Sequence, residues 1–462
     1  NQSDDGALWI FRLMASAALA GSVIIMGKAL NRADAYSLAA GAVTALIFTD
    51  AKIIDFAING METPFLLLFL AWTFWTLFTN PRRQWLHLGL SWGGLMWTRP
   101  DAFIYIGVLS VGVYFLKPSD ERWWKRLGTL HLFLKAGLVT CVVYGPWLLW
   151  AWQYYGTPVP HTVTAKGLFL PHTTPELLGK WLWEFPMKMW EHPSILAGTF
   201  MPAYSFNTGW PSWMSTLSAI VALVAMLLWL VPKLRWEARV LSLTAFGGQF
   251  YLYSFVGFPI PWYLPPITFL SLMAIGLALM QLSARSNWKR ISWVAFAIIV
   301  ASEVTLSLTV AWQLRCQQRI VEGQRRQIGE WLKEQSASPA DTVFLEPLGY
   351  IGFFSGLKML DYPGLSSPEV VAARSRAESR SYPFSWSELI MDLQPDWLVL
   401  RSYERDYIRN RDSEVLTRFY QLAKTFDVRK EVAAILFLPG RGYLTNDALF
   451  EVYRRPSDLP TG

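Results

Sequence analysis

The chain has 462 residues, of which 53% are hydrophobic and only 16% are charged, and it contains 25 tryptophans. This composition is far more apolar than that of a soluble domain, and abundant Trp and Tyr are typical of membrane–water interfaces. The net charge of +7 does not indicate nucleic-acid binding, because the basic residues lie in short loops between apolar segments. We therefore expect an integral membrane protein with membrane lipid, and no nucleic acid, as a partner.

About ten apolar segments are candidates for membrane crossings. They lie near residues 8–27, 36–58, 62–79, 84–98, 102–117, 129–151, 213–231, 240–256, 264–281 and 291–312. Lys and Arg gather in the loops Lys28–Arg32, Pro81–Arg83, Lys117–Arg126, Lys233–Arg239 and Arg285–Arg290. If the ten segments alternate, these loops share one side, which the positive-inside rule makes cytoplasmic. The pattern predicts a multi-pass protein of the bacterial inner (plasma) membrane, with both ends of the chain outside the cytoplasm.

Two domains are predicted, a transmembrane module over 1–312 and an extracytoplasmic α/β domain over 313–462. The module includes an extracytoplasmic loop, 152–212, in which Glu176–Trp190 has the spacing of an amphipathic interfacial helix. Because an outer start at Asn1 without a signal peptide is unusual, we expect an N-terminally truncated chain that lacks an earlier crossing.

The 313–462 region has ordinary soluble composition and mixed helix and strand signals. Helices are predicted at Arg325–Gln335 and Ser413–Thr425, and strands at Thr342–Leu345, Lys358–Leu360, Trp397–Leu400 and Leu449–Arg454. About 150 residues are enough for one small domain with its own core.

Charged residues inside or beside the apolar segments gather at the predicted outer face, where they indicate a polar cavity open to the outside. They are Arg12, Asp50, Lys52, Asp55, Glu62, Arg99, Asp101, His161, Lys166 and Glu303. Simpler interpretations stay open for several of them. Arg99 and Asp101 also fit a plain helix–loop–helix corner, and Glu303 also fits a pair with a neighbouring helix. For Asp50, Lys52 and Asp55, surface contacts within one helix are the favoured interpretation.

No His, Cys and carboxylate spacing resembles a metal site, and no Gly-rich phosphate loop is present, so neither a metal nor a cofactor is predicted. Cys141 and Cys316 are too few for a disulfide framework, and we expect no bond between them. Nucleotides are cytoplasmic, whereas the polar cluster is predicted to face out. An enzyme with its site at this cluster therefore needs an activated donor substrate that is already outside the cytoplasm. A lipid-phosphate-linked sugar is one such donor.

Several motifs together resemble bacterial glycosyltransferases of the GT-C fold. Gly60–Pro64 (GMETP) is similar to their G-M/L-E-T-P element, and Thr98–Asp101 (TRPD) to their T-R-P-D step. Tyr155–Lys166 resembles their Y-G-x-P-x-P-N-T-x-x-A-K loop. Trp262–Pro265 resembles their R-Y-x-x-P turn, and Gly349–Gly356 with Asp361–Leu365 resembles pieces of the outer domain. The motifs run in order from Gly60 to Leu365, and the nearest type is the cell-wall arabinofuranosyltransferase, which depends on a polyprenyl-phosphate sugar.

The resemblance implies a GT-C-like membrane fold and transfer of a sugar from a polyprenyl-phosphate donor to a glycan, lipid or protein acceptor. It places Glu62 and Asp101 along the sugar or acceptor pocket, Arg99 and Lys166 near the donor phosphate, and His161 and Tyr263 in the pocket walls. The catalytic aspartate of such enzymes lies in the first outer loop, which this chain is expected to lack, so the catalytic residue stays unknown. His161 replaces the usual asparagine and Trp262 the usual arginine, so the resemblance does not identify the sugar. Whether the enzyme depends on a metal also stays open.

Two other functions stay open at the level of sequence. A transporter or flippase of lipid-linked saccharides also has aromatic cavities and intramembrane charge, although no matching broken helices occur in the two halves. The second is a membrane anchor that presents 313–462 as a binding module. An anchor needs far fewer than the ten or so predicted crossings, which disfavours this function.

Overall fold

The computed structural model describes residues 2–31, 45–118, 126–156, 158, 175–205, 209–256, 260–284, 286–378, 385–412 and 414–456. Internal contacts divide the chain into two compact units. The helical unit comprises Asn1–Trp150, Thr174–Phe206 and Trp210–Ala311, and the α/β unit comprises Ala151–Thr173, Asn207–Gly209 and Trp312–Gly462. The division between Ala311 and Trp312 lies one residue from the domain boundary that the sequence predicts.

The described part of the helical unit consists mainly of helices. They are α1 (Gln2–Asn31), α2 (Ala51–Ile58), α3 (Thr63–Thr79), α4 (Gln84–Thr98), α5 (Ala102–Leu116), α6 (Arg126–Tyr155), α7 (Pro175–Glu191), α8 (Pro193–Ala197), α9 (Ser212–Leu227), α10 (Trp236–Tyr251), α11 (Leu264–Ser283) and α12 (Lys289–Gln317). Short 3₁₀ turns lie at Leu228–Leu230, Pro261–Tyr263 and Ser286–Trp288, and a π turn at Leu252–Val256.

Five helical stretches within the described residues are long and apolar enough to cross a membrane. They are Trp9–Ala29, Arg126–Tyr154, Ser212–Leu230, Pro261–Ser283 and Lys289–Gln335. The helices α3 and α5 are apolar but have 17 and 15 residues, and at 1.5 Å per residue they reach about 25 and 22 Å, less than a bilayer core of about 30 Å. The protein is therefore a helical, membrane-associated protein, and the number of crossings, ten by sequence, stays a prediction.

Helix α4 fits between its neighbours because glycines line its sides. A Cβ built on Gly89 would lie 2.4 Å from the Cβ of Val139 in α6, and one built on Gly94 would lie 2.3 Å from the ring of Phe69 in α3. Such close backbone approach through small residues is typical of helix packing in membranes. These contacts hold α4 against α3 and α6.

Helix α7 corresponds to the predicted amphipathic segment. The Phe185 side chain is buried against other aromatic rings, whereas Trp183 and Trp190 are each 86% exposed. One face of the helix thus packs on the helical unit and leaves large indole rings uncovered, as an interfacial helix requires. Its location along the interface stays a prediction.

The α4–α6 contact can be tested with one methyl group. Gly89→Ala places a Cβ 2.4 Å from Val139 and 2.7 Å from the carbonyl oxygen of Ala136, so we expect a loss of stability of about 1–3 kcal/mol from overpacking. Gly137→Ala in α6 is the matched control, because its Cβ meets nothing within 4 Å and alanine favours the helix. Thermal unfolding in detergent compares the two, and equal melting temperatures would contradict the packing.

The α/β unit consists of helices on both sides of a five-stranded sheet. After a π turn at Gln318–Glu322, its elements are α13 (Gly323–Gln335), β1 (Thr342–Leu345), α14 (Leu348–Ser355), β2 (Lys358–Asp361), α15 (Pro368–Glu378), α16 (Trp386–Leu393), β3 (Trp397–Arg401), α17 (Ser402–Arg411), β4 (Gln421–Asp427), α18 (Arg429–Ala433), α19 (Arg441–Asn446) and β5 (Leu449–Arg454). A further π turn covers Val415–Phe419. The strand order is β2-β1-β3-β5-β4, with β1 parallel to β2 and β3, and β5 antiparallel to β3 and β4.

Alternating strand residues form two separate cores, because successive side chains in a strand point to opposite faces. Val343 and Val399 belong to the core on one face, and Phe344 and Leu398 to the core on the other. The small α/β domain and four of its strands therefore follow the sequence prediction closely. The helix predicted at Ser413–Thr425 is correct only in its first half: Val415–Phe419 is a π-helical turn, and from Gln421 the chain forms β4.

Candidate functional site

The Thr98–Asp101 step forms a sharp corner between α4 and α5. Arg99 has an extended backbone (φ −151°, ψ 125°) and ends α4, as expected for a residue before proline. Asp101 occupies the N-cap position of α5 without capping it through its side chain. Its carboxylate instead accepts two hydrogen bonds from Arg99, Nε to Oδ1 at 3.0 Å and Nη2 to Oδ2 at 2.7 Å, in the bidentate geometry that arginine favours.

The Arg99 guanidinium joins the corner to two other parts of the helical unit. Its Nη1 donates to the carbonyl oxygen of Trp262 at 2.5 Å, and its Cζ lies 4.3 Å from the ring centroid of Tyr263. The same Nη1 lies 3.7 Å from Oε1 of Glu62. Arg99 thus contacts the starts of three helices: Glu62 and Asp101 are the N-cap residues of α3 and α5, and Tyr263 is that of α11. We call these four residues, with Trp262, the Arg99 cluster.

Burial and charge distinguish the members of the Arg99 cluster. The side chains of Arg99 and Asp101 are 9% and 16% exposed, whereas that of Glu62 is 34% exposed. Burial alone would lower the pKa of the Arg99 guanidinium, but the charge and hydrogen bonds of Asp101, with Glu62 beyond, hold that pKa above its ordinary value. Arg99 therefore stays charged, and Glu62 is the carboxylate that a ligand reaches most easily.

Two tyrosines that the sequence analysis did not select complete the surroundings of the cluster. Tyr105 is buried and interacts electrostatically with Arg99 and Asp101, and the Tyr251 ring lies 6.2 Å from that of Tyr263. Asp101 and Tyr105 are four residues apart, which places both on one face of the helix. This spacing is the feature of the sequence that indicates Tyr105 as a neighbour of Asp101. Nothing local to Tyr251 indicates its partner, since it comes from the end of α10.

The predicted site residues are only partly brought together among the described residues. Glu62, Arg99, Asp101 and Tyr263 meet, although they are spread over about 200 positions of the sequence. His161 and Lys166 lie outside the described residues.

A second charged cluster lies elsewhere in the helical unit. The Lys52 ammonium donates to the carbonyl oxygens of Gly198 and Thr199 and interacts with Asp50 and Glu303. The carboxyl groups of Asp50 and Glu303 also hydrogen-bond to each other. The predicted pairing of Glu303 with a neighbouring helix is confirmed.

The favoured interpretation of Asp50, Lys52 and Asp55 as surface contacts within one helix is wrong. All three residues are buried, at 2%, 1% and 8% exposure. Lys52 reaches across to the α8 end rather than along its own helix, because a buried ammonium needs several acceptors and the backbone carbonyls supply them. This second cluster has the character of a cross-link between helices.

The described residues contain no group of three or more His, Cys, Asp or Glu side chains placed to hold a metal ion. Cys141 and Cys316 are both free thiols, as expected. The chemistry available at the Arg99 cluster is therefore that of carboxylates, a guanidinium, phenol groups and helix ends.

Comparison with known proteins adds one match. A family model described as a domain of unknown function (DUF8728) matches residues 313–453, a stretch inside the α/β unit. No curated protein matches the chain. The α/β unit is thus similar to a domain family whose description assigns no activity.

The bidentate pair predicts strong coupling in a double-mutant cycle. Arg99→Met leaves the Asp101 carboxylate buried without its partner, which we expect to cost about 3–5 kcal/mol, and Asp101→Asn in the same chain should restore part of the loss. Midpoints of denaturant-induced unfolding in detergent measure the cycle.

The matched control is Lys188 with Glu184, an ion pair of the helical unit joined at 3.7 Å. Both side chains are more exposed, at 29% and 35%, so Lys188→Met should cost about 1 kcal/mol or less. Equal losses at the two pairs would show that the burial of Arg99 has no energetic consequence.

Proposed function

We propose that the protein is an integral membrane glycosyltransferase that takes a sugar from a polyprenyl-phosphate donor at the outer face of the bacterial inner membrane. The acceptor is a hydroxyl group of a cell-envelope glycan, lipid or protein. The observation that carries the proposal is the convergence of three helix N-termini, an accessible carboxylate and tyrosine rings on Arg99. The order of the GT-C-like motifs in the sequence supports it.

The charges at the Arg99 cluster balance. Each of the three helix N-termini carries a partial charge of about +0.5, and the C-terminus of α4, which ends at Arg99, carries about −0.5. Together these helix ends offset the net charge of −1 that Arg99, Asp101 and Glu62 give as side chains. A donor with a single phosphate therefore needs a further cation, the role that the resemblance assigns to Lys166.

The geometry changes the role that we assign to Arg99. Its Nε, Nη1 and Nη2 already donate to Asp101 and to the Trp262 carbonyl, so its main role is to hold the cluster together. We assign direct contact with the donor phosphate instead to Lys166, whose role stays a prediction. His161 stays a predicted wall of the pocket.

Glu62 is the residue that we assign to sugar or acceptor hydroxyl groups. Its carboxylate is the most exposed in the cluster, and an ionised carboxylate accepts hydrogen bonds from hydroxyls strongly. In the transfer, the acceptor oxygen bonds to the anomeric carbon, the bond from that carbon to the lipid phosphate breaks, and a carboxylate takes the acceptor proton. The resemblance assigns that proton to an aspartate of an earlier outer loop, so we name no catalytic residue here.

Transfer assays test the proposal on the protein expressed from its complete reading frame. The purified protein is incubated with a panel of synthetic polyprenyl-phosphate sugars and envelope acceptors. We expect transfer from at least one donor, and a 10- to 150-fold drop in kcat/KM for Glu62→Gln, since a hydrogen bond to a charged group contributes about 1.5–3 kcal/mol. Glu237→Gln is the control with an unchanged rate.

Two outcomes would contradict the proposal. Equal activity of Glu62→Gln and Glu237→Gln would remove the Arg99 cluster from the site. No transfer from any donor, together with movement of a lipid-linked saccharide across reconstituted vesicles, would identify a transporter or flippase instead.

A further inference from the structure

The loop between α18 and α19, residues 434–440, contains no polar side chain. Its sequence is AILFLPG, whereas the loops of a water-facing domain are mostly polar. Leu436 is fully exposed and Phe437 is 69% exposed, and the two form the bend of the loop. Large apolar side chains that are exposed side by side mark a surface that contacts a partner or a membrane. We call residues 434–440 the apolar loop.

The base of the apolar loop is held by contacts within the α/β unit. Val432 and Leu438, which flank the exposed pair, are buried in one small core with Cys316 of α12. The guanidinium of Arg441 donates a hydrogen bond to the carbonyl oxygen of Ile435. These contacts fix both sides of the loop, so the exposure of the pair at its bend is a feature of a held structure.

A tryptophan of α12 joins the apolar loop to the end of a candidate membrane crossing. The Nε1 of Trp312 donates to the carbonyl oxygen of Phe437 at 2.9 Å. Trp312 is the last residue of the apolar run 291–312, within a helical stretch that is long and apolar enough to cross a membrane. Its side chain is partly uncovered, at 45% exposure, and a tryptophan in this place is typical of the membrane–water interface. The hydrogen bond therefore holds the bend of the loop beside the end of the crossing.

The polar groups around the apolar loop also suit a membrane surface. The carbonyl oxygens of Ile435 and Phe437 already accept hydrogen bonds from the protein, so the loop gives up fewer bonds to water when it enters an apolar phase. Lys430 in α18 and Arg315 in α12 are exposed cations near its base, with Glu431 as a neighbouring acid. Lysine and arginine at this level form charge-assisted hydrogen bonds with lipid phosphates.

A lipid bilayer fits the exposed pair better than a protein partner does. Two side chains cover far less than the roughly 800 Å² that each partner buries in a stable protein interface. The membrane, in contrast, is already present where the α12 crossing ends, and a leucine and a phenylalanine gain free energy as soon as acyl chains cover them.

We propose that Leu436 and Phe437 insert into the membrane leaflet in which α12 ends, where they contact acyl chains just beneath the headgroups. The insertion gives the α/β unit a membrane contact of its own, in addition to its chain connection to α12. It does not depend on the proposed transfer at the Arg99 cluster, because all the residues that carry it belong to the α/β unit.

Fluorescence quenching tests the insertion in the full chain, reconstituted in nanodiscs of phosphatidylethanolamine and phosphatidylglycerol. Cys141→Ser removes the exposed native thiol, whereas Cys316 is buried and stays. Leu436→Cys is labelled with bimane, and the parent chain without an added cysteine gives the background. We expect strong quenching by lipids that carry a doxyl group near the headgroup end of the acyl chain, and weak quenching by acrylamide in the water.

Leu422→Cys is the matched control for the position of the label. Leu422 is also an exposed leucine of the α/β unit, but it lies near the start of β4 and away from the apolar loop. A label there should show the reverse pattern, with strong quenching by acrylamide and weak quenching by the doxyl lipids.

Phe437→Asp in the Leu436→Cys chain tests whether the ring drives insertion. A carboxylate replaces an apolar ring, so the ratio of inserted to free loop should fall about tenfold or more. Phe353→Asp is the matched control, because Phe353 is another exposed ring of the α/β unit, in α14 and outside the loop, and it should leave the quenching unchanged. Melting curves verify folding, and if Phe437→Asp is unfolded, the comparison of labels at Leu436 and Leu422 decides.

Three results would overturn the insertion. Lipid quenching as weak at position 436 as at position 422, with free access of acrylamide, would place the loop in water. Protection from both quenchers would show that a protein, such as a second copy of the chain, covers the loop. Lipid quenching that Phe437→Asp leaves unchanged in a folded chain would show that the ring contributes nothing.

Glu62→Gln separates this proposal from the proposed transfer, since it should lose transfer and keep lipid quenching at position 436. Insertion without transfer in the otherwise unchanged chain would overturn only the glycosyltransferase, and transfer without insertion would overturn only the membrane contact of the apolar loop.

Discussion

One constraint on the helical unit stands above the others: burying the charged Arg99 guanidinium costs free energy, and other residues must offset that cost. Arg99 is 7% exposed, and a charge so removed from water needs hydrogen bonds and opposite charge around it. Asp101, Glu62 and the Trp262 carbonyl meet this need, and each comes from the start of a different helix. Hydrogen bonds and ion pairs to this one side chain therefore fix where three helices begin relative to the end of α4.

The α/β unit solves the same problem in its own core. Arg401, the last residue of β3, donates to Glu404 at 2.9 Å and to Glu346 at 2.6 Å, and it also contacts Asp447. The helical unit repeats the arrangement with Lys52, whose charge is met by backbone carbonyls and two carboxyl groups. In each case one cation gathers acceptors from separate elements, which are held together because releasing any of them would leave a charge uncompensated.

Much of the architecture could be predicted because it follows from local periodicity. The apolar runs indicated the helices, and the alternating strands β1 and β5 begin and end at the predicted residues. The strand that begins at Gln421 could not be predicted, because β4 is an edge strand, most of whose residues are exposed, so the alternation that marks a half-buried strand is missing. Asp50 and Lys52 were misread because burial of a charge depends on partners elsewhere in the chain, and Tyr251 was missed for the same reason.

The sequence by itself determined the class of protein, the helices, the small sheet and the corner at Arg99, since a proline and flanking charges act within a few residues. The order of the motifs along the chain also singled out Glu62, Asp101 and Tyr263. Only the tertiary structure decided that these side chains meet on one guanidinium and that Arg99 directs its donors to the protein. These features depend on contacts between residues that are far apart in the chain. The free energy of such contacts comes from burial and from charge pairing, and the residues next to each position in the sequence indicate neither of these.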